Sequence, residues 1–379
     1  MSKPKSVNRD QYEYATGRIR ALELNLLDST QYARLYDART TDDINRILAE
    51  CGYPQTADPE ASLAKELFNT YELIGELMAD SGYIDVFLLL HDFHNIKTIL
   101  KYLIPSWSGK ASAAVEEGIT GTEVNLDEPD HEIEDLPEFS SDSHKDRQLD
   151  ITDIQHLFLL PSLISPQLLY IALTERQPSL IPAWAYQSAV TATAKYQSTY
   201  DVSDVDIMLD QSAYQSIYDK ACSLGDADFL AFVRQRIDLI NLGMVLRARH
   251  VQSGSAHLSE SLLQNGCLKS EDLTALYEQS ADNLIEYISK SDYSVFAETA
   301  GTYSEKNGAA RFNLEVDNFI VNVIRRAKKI LSGPEVPLAY LIARDMEIKN
   351  IRIITACVRN GIPMHQARDL ARDQYLDWR

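Results

Sequence analysis

Four cysteines in 379 residues, Cys51, Cys222, Cys267 and Cys357, stand far apart with no paired spacing. In a chain of this size that excludes a disulfide framework and indicates reduced, cytosolic thiols. Long hydrophobic runs are missing as well. Runs such as Val86 to Leu90 are about five residues long, where a bilayer-spanning helix needs roughly 20. The opening stretch, Met1 to Tyr14, holds no apolar core of the kind a signal peptide requires. Basic charge is scarce too: 36 Lys and Arg face 56 Asp and Glu, a formal charge of −20. Phosphate backbones and anionic headgroups repel such a surface, which argues against nucleic-acid binding and direct lipid anchoring. Any seat at a membrane would have to come through another protein. The 20 tyrosines do not reverse this, because no basic residues are interleaved with them to make a stacking platform for bases.

Catalytic signatures are absent. There is no GxxxxGK[ST] phosphate loop, no GxGxxG, no GxSxG elbow and no HExxH helix. His131-Glu132 begins like the last, but Asp135 stands where the second histidine belongs. His91 and His94, with Asp92 between them, share a helix face at a spacing of three. They offer only two nitrogens where zinc takes three or four ligands, so a metal hydrolase built on them falls short. The expectation is a protein with no catalytic, cofactor-binding or metal-ligating residues and no cofactor.

Helical periodicity is what the chain does have. Leu63, Leu67, Tyr71, Ile74 and Met78 recur at spacings of three and four, as do Tyr214, Ile217, Tyr218, Ala221 and Leu224 before Gly225. A third stripe runs through Phe312, Val316, Phe319, Val323 and Ile330 and predicts one helix up to Gly333-Pro334. Asp58-Pro59 and Ser165-Pro166 each set a side-chain acceptor at an N-cap and proline at the first helical position. Asn360-Gly361, with Pro363 beyond, is a stop signal. No stretch alternates with period two, so the fold class is all-α.

Between residues 106 and 150 the apolar pattern dissolves into Glu, Asp, Ser and Gly, densest around Glu132, Glu134, Asp135 and Glu138. Such a stretch buries too little apolar area to offset its ordering entropy and reads as an acidic linker or loop.

Three segments share a pattern: DFHNIKTILK from Asp92, DLINLGMVLR from Asp238 and EIKNIRIITA from Glu347. Each has an acidic residue, asparagine three positions on, then aliphatic residues. The asparagines are Asn95, Asn241 and Asn350, spaced 146 and 109 positions apart. Removing the acidic stretch from the longer interval makes the two nearly equal. A second echo aligns DDINRILAECGY (Asp42 to Tyr53) without gaps on DNLIEYISKSDY (Asp282 to Tyr293). Asparagine competes for backbone hydrogen bonds and is a poor mid-helix residue, so its recurrence at one phase marks packing register positions or partner contacts. The chain therefore divides into three similar helical modules, 1–105, 151–262 and 263–379, separated after the first by the acidic stretch 106–150. Three such units would pack with pseudo-threefold symmetry around an axial hollow. The candidate structural or interface residues are Asp92, Asn95, Asp238, Asn241, Glu347 and Asn350.

Tyr14 to Tyr53, Arg234 to Arg249 and Ser332 to Pro363 resemble three blocks of the C subunit of the V/A-type rotary ATPases, whose eukaryotic counterpart is the d subunit. The match runs nearly end to end, with the acidic stretch as the departure. The resemblance implies a funnel-shaped, non-catalytic central-stalk rotor subunit on the cytoplasmic side of the membrane, present as a single copy. Its partners would be the D- and F-type shaft subunits and the membrane proteolipid ring, with the stator as a further candidate. It would couple ATP turnover in the soluble head to proton or sodium transport. The competing reading is a cytosolic helical scaffold, which would favour more numerous repeats of about 34 to 47 residues.

Overall fold

Local signals in the sequence fix many of the helix ends. The Asp58 side chain accepts the Ala61 N–H at 3.0 Å and Pro59 follows at the first helical position. Asp28 and Gln31 cap each other reciprocally. Asp226 accepts the Asp228 and Phe229 N–H groups and also the Tyr83 hydroxyl at 2.8 Å. At the Asn360-Gly361 stop, Gly361 takes φ +64°, and Ile362 N–H returns to the Cys357 carbonyl at 2.9 Å. A β-carbon is disfavoured in that left-handed conformation, which is why glycine ends the helix.

The computed structural model describes residues 8–107 and 150–376, with sixteen α-helices and no strand among the described residues. In chain order these are α1 (Glu13–Leu22), α2 (Ser29–Tyr36), α3 (Thr41–Glu50), α4 (Pro59–Leu77) and α5 (Gly82–Trp107). After residue 150 come α6 (Pro166–Thr174), α7 (Ala183–Thr199), α8 (Ser203–Leu224), α9 (Ala227–Val251), α10 (Ser255–Ser261) and α11 (Ser270–Tyr277). The last five are α12 (Ala281–Ser289), α13 (Ala297–Gly301), α14 (Gly308–Ile324), α15 (Glu335–Asn360) and α16 (Met364–Asp369). The chain is all-α, as its periodicity indicates. The acidic stretch read at 106–150 lies, apart from its ends, outside the described residues.

Two expectations need correcting. The stripe from Phe312 to Ile330 is not one helix: α14 ends at Ile324, and a 3-10 turn, Arg325–Lys329, follows. Arg20 on α1 donates to the carbonyls of Ala327 and Ile330, which satisfies backbone groups that a continued helix would have used itself. The second is Ser165, which precedes α6 without capping it, because its hydroxyl donates to Gln167 Oε1 instead.

The packing separates into two cores. The larger includes α5 against α8, α8 against α7, and much of the chain between. The smaller joins Leu35, Ile44, Leu48 and Leu63 from the N-terminal region to Ile348, Ile351 and Ile354 of α15. Each such aliphatic side chain, fully buried, contributes about 1.5–3 kcal/mol. The first helices of the chain are therefore held against the last long one.

Candidate functional site

The three longest helices are α5, α9 and α15, and each carries one acid–asparagine pair near its middle. All six side chains are buried, with Asp92, Asn95, Asp238 and Asn241 at 0% exposure.

The asparagines perform one task three times. Asn95 accepts the Leu159 N–H at 2.8 Å and donates to the Leu159 carbonyl at 3.1 Å. Asn241 does the same with Leu263, both at 2.8 Å, and Asn350 with Arg372, at 2.8 and 3.1 Å. A side-chain amide thus replaces a neighbouring strand for one residue of an irregular segment, and the paired geometry fixes that segment on the helix. The need for one donor and one acceptor from a single short side chain is what selects asparagine.

Two of the acids hold the next stretch of the same segment, and the third holds an N-terminal one. Asp92 accepts N–H groups of Leu163 (3.3 Å) and Ile164 (2.9 Å). Asp238 accepts those of Cys267 (3.0 Å) and Leu268 (2.9 Å), and also the Tyr293 hydroxyl at 2.6 Å. Gly266 runs so close that a β-carbon there would lie 2.2 Å from Asp238 Oδ1, so glycine is the residue that fits. Glu347 takes its N–H from Leu27, a hydroxyl from Tyr53 at 2.6 Å, and an ion pair from Arg344. Leu27 and Tyr53 stand 240 positions before Cys267 and Tyr293, the register of the second sequence echo. Tyr53, Tyr293 and Arg344 were not among the sequence candidates, although the tyrosine closing both echoes marked two of them.

The three acids sit in unequal electrostatic settings. Around Glu347, burial opposes the Arg344 charge, but Glu347, Tyr53, Tyr340 and Glu66 together outweigh it and raise the guanidinium pKa. Burial, reinforced by Glu347, pushes the Tyr53 hydroxyl well up. Asp238 is raised by burial against the hydrogen bonds of Tyr293, Leu268 and Cys267. Asp92 has only the Ile164 and Leu163 N–H groups to oppose burial and is pushed up to about 7.

That value gives a test. Folded Asp92 keeps its proton to about pH 7, while an unfolded aspartate loses it near pH 4. The native state therefore binds more protons in that window, and the stability linked to Asp92 falls as pH rises through it. The wild-type melting temperature, minus that of Asp92→Asn, should decline from about pH 4 to pH 7. A constant difference would refute it.

His91 and His94 do not converge on a shared point. His91 Nδ1 lies 2.6 Å from the Pro161 carbonyl and His94 Nε2 lies 3.1 Å from that of Leu157. Among the described residues, no three His, Cys, Asp or Glu side chains are grouped so as to hold a metal ion.

The three long helices also border one small, open cleft of about 70 Å³. Val86, Leu90 and His91 come from α5, Phe232 and Arg236 from α9, and Leu341, Asp345 and Lys349 from α15. Arg236 joins it to a second, smaller cleft of about 30 Å³ that also includes Arg247 and Phe312.

An all-helical chain whose buried acids and asparagines latch irregular segments onto its longest helices defines a class of latched helical proteins. The family described as ATP synthase (C/AC39) subunit matches residues 15–144 and 150–370, and the chain belongs to that family. It is 20% identical over 374 residues to the A-type ATP synthase C subunit of Desulfurococcus sp. (strain SY), covering 95% of this chain and 90% of that protein. It is 22% identical over 368 residues to the A-type ATP synthase C subunit of Methanococcoides burtonii, covering 92% and 90%. With the V-type sodium ATPase C subunit of Enterococcus hirae it shares 18% over 372 residues, covering 96% and 99%. No helix among the described residues is long and apolar enough to cross a membrane.

Proposed function

We propose that this chain is the non-catalytic central-stalk subunit of a V/A-type ATPase or ATP synthase, linking the shaft of the ATP-turning head to the membrane proteolipid ring. The observation that carries the reading is the family match across nearly the whole chain. The acid–asparagine latches support it as well. A torque coupler must not let its irregular segments slide on its helices, and buried paired hydrogen bonds resist sliding.

In this reading the chain has three units, and the third is assembled from both ends. Glu347 and Asn350 supply the helix, while Arg372 follows from the C-terminal side and Leu27 and Tyr53 come from the N-terminal side. The protein works on the cytoplasmic face, held there through the ring and without a lipid anchor, as one copy per complex. The six acid and asparagine side chains set its packing register.

Gentle extraction of membranes carrying the tagged chain should recover the proteolipid ring and shaft subunits with it. A chain that leaves the membrane fraction with none of them would sink the coupler reading.

A further inference from the structure

The densest run of positive charge in this acidic chain is Arg325-Arg326-Ala327-Lys328-Lys329, between α14 and α15. Two of its four cations are used inward. Arg325 bonds Asn322 at 2.7 Å and faces Asp373 at 3.5 Å, and Lys328 lies 4.8 Å over the Tyr375 ring. Arg326 and Lys329 are exposed, and neither forms an ion pair among the described residues.

Two residues beyond that turn stands the most exposed large apolar side chain among the described residues, Leu331 at 94%. The next, Leu24 at 77%, follows Glu23, whose partner Arg20 also bonds this segment. Arg20 bridges this junction, taking Glu23 at 2.7 Å and the Ala327 and Ile330 carbonyls at 2.6 and 3.2 Å. Tyr375 fastens Glu23 from behind at 3.0 Å. The two leucines therefore project from a braced platform rather than from a loose loop. Exposed leucines on braced backbone, with two exposed cations in the same segment, offer both apolar contact and charge to one partner.

We propose that this junction docks an acidic segment of a neighbouring subunit, with Leu331 and Leu24 gripping an apolar side chain and Arg326 and Lys329 pairing with carboxylates. This rests on the chain being one subunit of a larger assembly. Charge decides the kind of occupant. With −20 overall, an extended anionic sheet such as a membrane meets repulsion beyond the patch, whereas a short acidic segment lies within about one Debye length, 8 Å, of the cations alone. The cations set salt sensitivity, and cations and leucines together set the residence time.

The test uses the assembled membrane complex, washed from about 50 to 200 mM salt. Charge reversal by Arg326→Glu with Lys329→Glu should release roughly tenfold more of the chain than wild type, and Leu331→Ser should do the same with little change in the salt dependence. Exposed Lys306→Glu serves as control and should behave as wild type. Melting of each purified variant should match wild type, since none of the altered side chains is buried. Full retention of both patch variants in a complex that retains wild type overturns this inference and leaves the subunit reading standing. Failure to retain wild type overturns the subunit reading, and this inference with it. Vesicles rich in phosphatidylserine provide the last arm: if reversal abolishes vesicle sedimentation but not retention, lipid is the occupant and the proposal is wrong.

Discussion

Truncating Glu347 to alanine should lower the stability of the folded chain by about 3–5 kcal/mol, the usual effect of removing one partner from a buried ion pair. Arg344 is 3% exposed and would keep only Glu66, 3.4 Å from its Nε, as a countercharge. The Tyr53 hydroxyl and the Leu27 N–H would lose their acceptor in the same step. Urea unfolding reads the total, and amide exchange reads its location. The Leu27 amide and the helices α2 and α3 should exchange first, because Glu347 fastens that region to α15. A loss under about 1 kcal/mol would mean that Glu66 alone compensates Arg344, and that the N-terminal segment is held by its apolar contacts.

The second large effect belongs to the asparagines. Asn241→Leu keeps the branching at Cγ, with more bulk, but leaves the Leu263 N–H and carbonyl facing an apolar side chain. Each unsatisfied buried group costs about 1–3 kcal/mol, so a loss of about 2–6 kcal/mol is expected. Asn95→Leu should act alike at Leu159. Well-separated sites add, so the double variant should approach the sum of the two. An unchanged melting temperature for Asn241→Leu would show that the amide does not hold the loop.

Much of this was legible in the sequence for a local reason. Helix stripes, the Asp58 cap and the Gly361 stop depend on residues within one turn of each other. The asparagine columns were legible because a polar residue recurring on apolar helices conflicts with propensity, and such conflicts mark a specific task. What escaped was long-range. The break after Ile324 follows from Arg20, over 300 positions away, claiming the carbonyls of the next turn. The tie of Tyr53 to Glu347 crosses 294 positions, and no local pattern encodes which carboxylate a tyrosine will meet. Leu331 reads as the end of a helical stripe until the helix is seen to have stopped seven residues earlier.

The fastening of Leu27 to Glu347 also sets an order of events at the ribosome. The two residues are 320 positions apart, and at about 5–20 residues per second the second is made roughly 16–64 s after the first. Throughout that interval α2 and α3 exist without the α15 surface that covers Leu35, Ile44 and Leu48. The part of the protein synthesised first is thus among the last to be completed, and a chain released early, short of Glu347, carries an apolar face with nothing of its own to cover it.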